Sequence, residues 1–93
     1  MPHLKTNTLL KRLAEAGKLV KVGGHYVHYK SPDHIYVVTG LGIDEESEQI
    51  RVEYQRVDEK PAIPWRRRLE GEGGWLTPVI VEGKLVPRFN QID

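Results

Sequence analysis

Hydrophobic spacing changes character near residue 17. Leu9, Leu10, Leu13 and Ala14 recur at i, i+3 and i+4, the rhythm of one face of an α-helix. Thr6, Asn7 or Thr8 can cap its first turn, and Gly17 suits the left-handed position that ends a helix, so the pattern predicts a helix over residues 7–16. Beyond it the period falls towards two. Leu19 and Lys21, then Tyr26 and His28, alternate around Gly23-Gly24, a pair able to adopt the positive φ angles of a tight turn; strands are expected at 18–22 and 25–30. Ser31-Pro32-Asp33-His34 has turn chemistry. The β-branched and aromatic run Ile35-Tyr36-Val37-Val38-Thr39 then reads as a strand, with Gly40 and Gly42 marking a bend or bulge at its end.

Acidic residues from Asp44 to Glu48 predict an exposed loop. Ile50, Val52, Tyr54 and Val57 then nearly alternate with Arg51, Glu53 and Gln55, which predicts a half-buried antiparallel strand. Two prolines and mixed charge make 58–64 a surface loop. Short strands are expected at 65–69 and at 75–81, the second interrupted by Pro78, with the turn Gly71-Glu72-Gly73-Gly74 between them. Glu82-Gly83 reads as a hairpin tip returning through Lys84-Leu85-Val86 to Pro87. The sum is one domain over residues 1–93: mainly β (α+β), with one N-terminal helix and a β-rich region over 18–89. About six short strands would form a small SH3-like or partly open antiparallel barrel whose open end or edge the helix covers. No internal repeat or low-complexity segment interrupts this organisation.

Composition narrows the class. Apolar residues at 39% and charged ones at 29% suit a globular chain, and no apolar run approaches the ~20 residues needed to cross a bilayer. The start, MPHLKTNTLL, has no secretory leader pattern, so a cytoplasmic protein with no membrane association is expected. With no cysteine, disulfides, thiolate nucleophiles and sulfur-ligated zinc are excluded. The net charge of +1 hides a segregation: Lys5, Lys11, Arg12, Lys18, Lys21 and Lys30 face Glu15 alone in the first thirty residues. The next thirty carry eight acids against Arg51, Arg56 and Lys60. If the basic third meets the later run Arg66-Arg67-Arg68, a cationic patch results despite the neutral total.

Several blocks in order carry a family likeness. Gly24-His25-Tyr26-Val27-His28-Tyr29-Lys30, then Tyr36-Val37-Val38, Ser47-Glu48, Val52-Glu53-Tyr54 and Trp65-Arg66-Arg67 precede Gly83 and Val86-Pro87-Arg88-Phe89. Across residues 24–89 this order resembles the bacterial family known as domain of unknown function 1653. The family's W-x-R-P block falls either on Trp65-Arg66-Arg67-Arg68, which lacks the proline, or on Trp75-Leu76-Thr77-Pro78, which lacks the arginine. Its His-Ser-Glu-Thr block is reduced to Ser47-Glu48. The resemblance implies a compact β domain and no assigned reaction. A weaker likeness lies in Leu9 to Val22, which is similar to the last helix and first wing strand of a winged-helix domain, with His25–Tyr29 returning.

Candidate chemistry follows from residue type. His25 and His28 are three apart on a strand and so point to opposite faces; with His34 and His3 they make no chelating set, and neither metal nor cofactor is expected. A catalytic arrangement would pair His28 with Tyr26, Ser47, Glu48 or Tyr54, and no local motif enforces such a pair. The aromatic and basic residues form a stronger set. Tyr36, Tyr54 and one tryptophan suffice to fill a small core, which leaves other rings for the surface. Tyr26, His28, Tyr29, Lys30, Trp65, Arg66, Arg67 and Arg88 are the candidate ligand-binding residues, with Lys30, Arg66, Arg67 and Arg88 as phosphate contacts. The expected function is a small binding module, a monomer or weak homodimer, taking nucleic acid on exposed rings and a basic patch. The alternatives are a protein- or peptide-binding adaptor and a small enzyme using His28.

Overall fold

The computed structural model describes residues 6–93; His3 and Lys5, named above, lie outside the described residues. The order is α1 (Thr6–Leu19), β1 (His25–His28), β2 (Ser31–Ile43), β3 (Ile50–Arg56), β4 (Trp65–Arg68), β5 (Val79–Val81), β6 (Lys84–Val86) and β7 (Phe89–Gln91). Five strands form one antiparallel sheet in the order β4-β3-β2-β1-β7, and β5-β6 is a separate ribbon. The sheet curves but stays open, with β4 and β7 as its two edges: the expected mainly β fold with one helix is present, and its five strands form an open sheet and not a closed barrel.

The helix is longer than its pattern predicted. Gly17 lies inside α1, and the segment expected as a strand at 18–22 is helix and turn. The cause is Val20, fully buried with Ala16 one turn earlier, which together with half-buried Leu9 and Leu13 makes the docking face. Leu10 (58% exposed) and Ala14 fall outside that face. The chain leaves the helix through Gly23, whose φ of 86° needs glycine, and Tyr26 holds this turn by accepting the Lys21 N–H on its hydroxyl at 3.0 Å. Gly23-Gly24 therefore joins helix to strand and is no hairpin tip. The wing strand required by the winged-helix likeness is absent for the same reason.

The first hairpin turns at Tyr29-Lys30, between His28 and Ser31, which are partners in the ladder. Ser31 to His34, expected as a turn, instead open β2 where it has no β3 neighbour; there proline loses no ladder bond. A bulge at Thr39 changes the phase of β2, since Val38 pairs with Tyr54 but Gly40 pairs with Glu53. Tyr36 and Val38 face the core before the bulge and Leu41 faces it afterwards, so Gly40 and Gly42 continue the strand rather than ending it.

The core lies between the concave sheet face and α1. Trp75 and Phe89 stack at 3.7 Å with nearly parallel rings, and Tyr54 packs edge-on to both. Tyr26 meets Trp75 at 5.2 Å and Tyr36 meets Tyr54 at 5.5 Å, also edge-on. Trp75 reaches this position from a turn, not from the strand expected at 75–81, of which only Val79–Val81 forms. Phe89–Gln91, beyond Pro87, is a seventh strand that the pattern missed: three residues are too few to display a period.

Candidate ligand-binding site

His28 sits at the end of β1, opposite Phe89 of β7, and its ring meets that of Phe89 at 4.9 Å, edge-on. Its Nδ1 accepts the Lys30 N–H at 3.2 Å, a bond across the two-residue turn that also brings the Tyr29 ring to 4.7 Å. Burial first, then the charges of Arg67, Arg88 and Lys30, hold the His28 pKa below its ordinary value. All the charged groups that bear on this imidazole are cations.

Each cation arrives from a different element. Lys30 follows β1, and its ammonium lies 5.8 Å from the Tyr29 ring centre. Arg67 shares the inner face of the sheet with its ladder partner Val52, so its guanidinium crosses to within 5.4 Å of the Phe89 ring centre. There Nη1 donates to the Gly73 carbonyl at 2.7 Å, which ties β4 to the 71–74 turn, while Nε is buried without a hydrogen-bond partner. Arg88 precedes β7 and donates from Nε to the Thr77 carbonyl at 3.2 Å, and its own carbonyl accepts the Tyr29 N–H at 3.0 Å. Curvature of the sheet therefore brings the β1-β2 turn, β4 and the approach to β7 together.

Five of the eight residues singled out from sequence, His28, Tyr29, Lys30, Arg67 and Arg88, form this cluster. Three do not belong to it. Tyr26 is a buried core ring and offers no stacking platform; its hydroxyl is occupied by Lys21 and, at 3.5 Å, by Gln91. Arg66 points to the opposite face of β4, where Nε meets Glu53 at 3.1 Å, because adjacent residues of a strand alternate sides. Trp65, 48% exposed, lies opposite Tyr54 at the start of β4. The expected basic patch is thus split, and Phe89, the ring on which His28 and Arg67 both rest, was missed. Its sequence signal was its place in the Val86-Pro87-Arg88-Phe89 block, beside Arg88.

The remaining candidates separate as well. His25 Nδ1 lies 2.8 Å from Asp93 Oδ2, which holds the Asp93 carboxyl well below the usual carboxylate range through that bond and the His25 N–H. Among the described residues no three His, Asp or Glu side chains gather as for a metal ion. Ser47 caps the 44–49 turn, its Oγ 2.7 Å from Asp44 Oδ2, and this turn closes the far end of β2 from the His28 end. The pairs that would join His28 to Ser47 or Glu48 are therefore not assembled. A groove of about 860 Å³ does run between α1 and the 47–50 and 69–71 segments, lined by Lys11, Arg12, Glu15 and Glu70 among others, and none of the eight residues lines it.

These features define a small open-sheet domain with a helix over its concave face and a cationic, aromatic corner at the β1-β2 turn. The model of a family described as protein of unknown function (DUF1653) matches residues 24–91, well over half of the chain, and the chain belongs to that family. The match includes every residue of the corner and leaves out α1. No curated protein and no solved structure matches the chain. No helix among the described residues is long and apolar enough to cross a membrane.

Proposed function

We propose that this protein is a non-enzymatic, cytoplasmic binding module that takes single-stranded nucleic acid at the corner formed by His28, Tyr29, Lys30, Arg67 and Arg88. The observation that carries the reading is the convergence of three cations from three elements on one half-buried imidazole, beside a half-buried tyrosine ring. Like charges held together raise the free energy of the unliganded corner, and a phosphodiester relieves that repulsion. Tyr29 supplies a face on which a base can stack, and stacking tolerates any base sequence. The single strand is favoured over the duplex because the ring stands at a turn and α1, the one helix among the described residues, is already packed against β2 and β3.

The test is fluorescence anisotropy of labelled mixed-sequence RNA and DNA strands, at low and at physiological salt, with the parent and with a Lys30→Ala/Arg88→Ala variant. Phosphate contacts by Lys30, Arg67 and Arg88 give a slope of log affinity against log salt of about −2, falling to about −0.7 in the variant. An NMR titration should show the His28 pKa rising on binding, as an anion offsets the neighbouring cations. Absence of saturable binding at low salt, or an unchanged slope in the variant, would falsify this reading. The exposed edges of β4 and β7 would then direct attention to a peptide added as a further strand.

A further inference from the structure

The ribbon of β5 and β6 poses a separate problem. Ile80 and Leu85 face each other across it and are 73% and 71% exposed, and no other helix or strand among the described residues packs against it. An isolated two-stranded ribbon is marginal in water, and cross-strand apolar pairs stabilise a sheet mainly where a further strand or layer covers them. Its tip is a two-residue turn with positive φ at both Glu82 and Gly83, the geometry that matches strand twist. Val81 and Lys84 close that turn as a hydrogen-bonded pair, so by alternation Ile80 and Leu85 direct their backbone N–H and C=O outward, one along each edge.

The two edges are not equivalent. Lys84 stands on β6, and lysine on an edge strand discourages further pairing. Val79-Ile80-Val81 carries no charge. We infer that a second copy of this chain pairs with β5 through a two-fold axis at Ile80, making a continuous four-stranded sheet. In that register the two Ile80 residues exchange both their N–H···O bonds, and Val79 of each copy faces Val81 of the other. The Glu82 N–H meets the carbonyl of Pro78, while Pro78, with no N–H, leaves the reciprocal bond of that pair unmade, which keeps the contact short. Ile80 and Leu85 of both copies then form one row of four aliphatic side chains on one face, and no like charges oppose each other across the new pair. The edge matches itself, which is what a two-fold contact requires, and its three-residue length makes the dimer weak and reversible.

Proline separates the two edges experimentally, since Ile80→Pro removes only the outward N–H of β5 and Leu85→Pro only that of β6. Sedimentation velocity of the full chain between roughly 10 μM and 1 mM should show the parent shifting from monomer to dimer. Ile80→Pro should remain monomeric over that range, and Leu85→Pro, which keeps the β5 edge and loses only the two outer members of the aliphatic row, should still dimerise, more weakly than the parent. The near-ultraviolet signal of Trp75, stacked on Phe89 away from the ribbon, reports whether each variant keeps its fold. A parent that stays monomeric at the highest concentration overturns the proposal and leaves the ribbon to a different protein. So does a dimer that Ile80→Pro leaves intact while its fold is retained, or one that Leu85→Pro abolishes. Strand binding at the His28 corner uses none of these residues, so neither result bears on the proposed function.

Discussion

Gly74 provides a sharp test of how the 71–74 turn supports the core. It is buried next to Trp75, its N–H donates to the Gly71 carbonyl at 3.0 Å, and its own carbonyl accepts from Thr77 at 3.1 Å. A Cβ added there would lie 2.7 Å from the carbonyl carbon of Glu70 and 2.9 Å from its Cα and oxygen, all backbone atoms that cannot rotate away. The turn cannot slide freely either. Arg67 holds Gly73, and the N–H groups of Trp75 and Leu76 bond to Arg68 and Leu69 at 2.8 and 2.9 Å. Relief must displace Trp75 from its stack on Phe89, so the cost of Gly74→Ala belongs at the upper end of overpacking, about 2–3 kcal/mol. For a chain of this size that lowers Tm by about 10–20 °C. Gly42→Ala is the control: nothing lies within 4 Å of its Cβ, its φ is not positive, and stability should hold or rise by about 0.5 kcal/mol. Urea unfolding followed by tryptophan fluorescence measures both. A Gly74→Ala protein as stable as Gly42→Ala would refute the claim that backbone crowding, and not turn preference, demands glycine at 74.

Three further outcomes follow from the same geometry. Phe89→Ala removes a ring shared by Trp75, Tyr54, His28 and Arg67 and should cost about 3–5 kcal/mol in urea unfolding, a large loss for a three-residue edge strand. Because the folded pKa of His28 lies below its unfolded value of 6.5, its contribution is fully present above pH 6.5 and is lost as pH falls through the lowered folded value. NMR titration of the ring checks the premise, and a pKa at or above 6.5 in the free protein would contradict it. Arg66→Ala should leave strand affinity unchanged within error by anisotropy, since its guanidinium pairs with Glu53 on the opposite face; a loss like that of Lys30→Ala/Arg88→Ala would place Arg66 in the site.

The sequence by itself determined those elements whose signal is local. β3 follows the alternation of Ile50, Val52 and Tyr54 because a half-buried strand writes its two faces directly into a period of two. Glu82-Gly83 was legible as a tip because few residue pairs accept two positive φ angles. His28, Tyr29 and Lys30 were legible only as consecutive residues of an expected strand; the turn that gathers them was expected at 31–34 and stands at 29–30. Tertiary structure decided the rest. Gly17 carries a helix-ending signal, yet burial of Val20 outweighs a preference worth about 1 kcal/mol and carries the helix onward. Gly40 signalled a bend or bulge, and one lies just before it at Thr39, but that the strand continues beyond the bulge depends on its pairing with β3. The division of the arginine run, with Arg66 sent to Glu53 and Arg67 drawn over Phe89, follows from which face of β4 the curved sheet turns inward. Tyr26, Trp65 and Trp75 are all large rings in similar company. Only the packing of distant segments, which sequence spacing does not encode, made two of them core and left the third half-exposed at a strand edge.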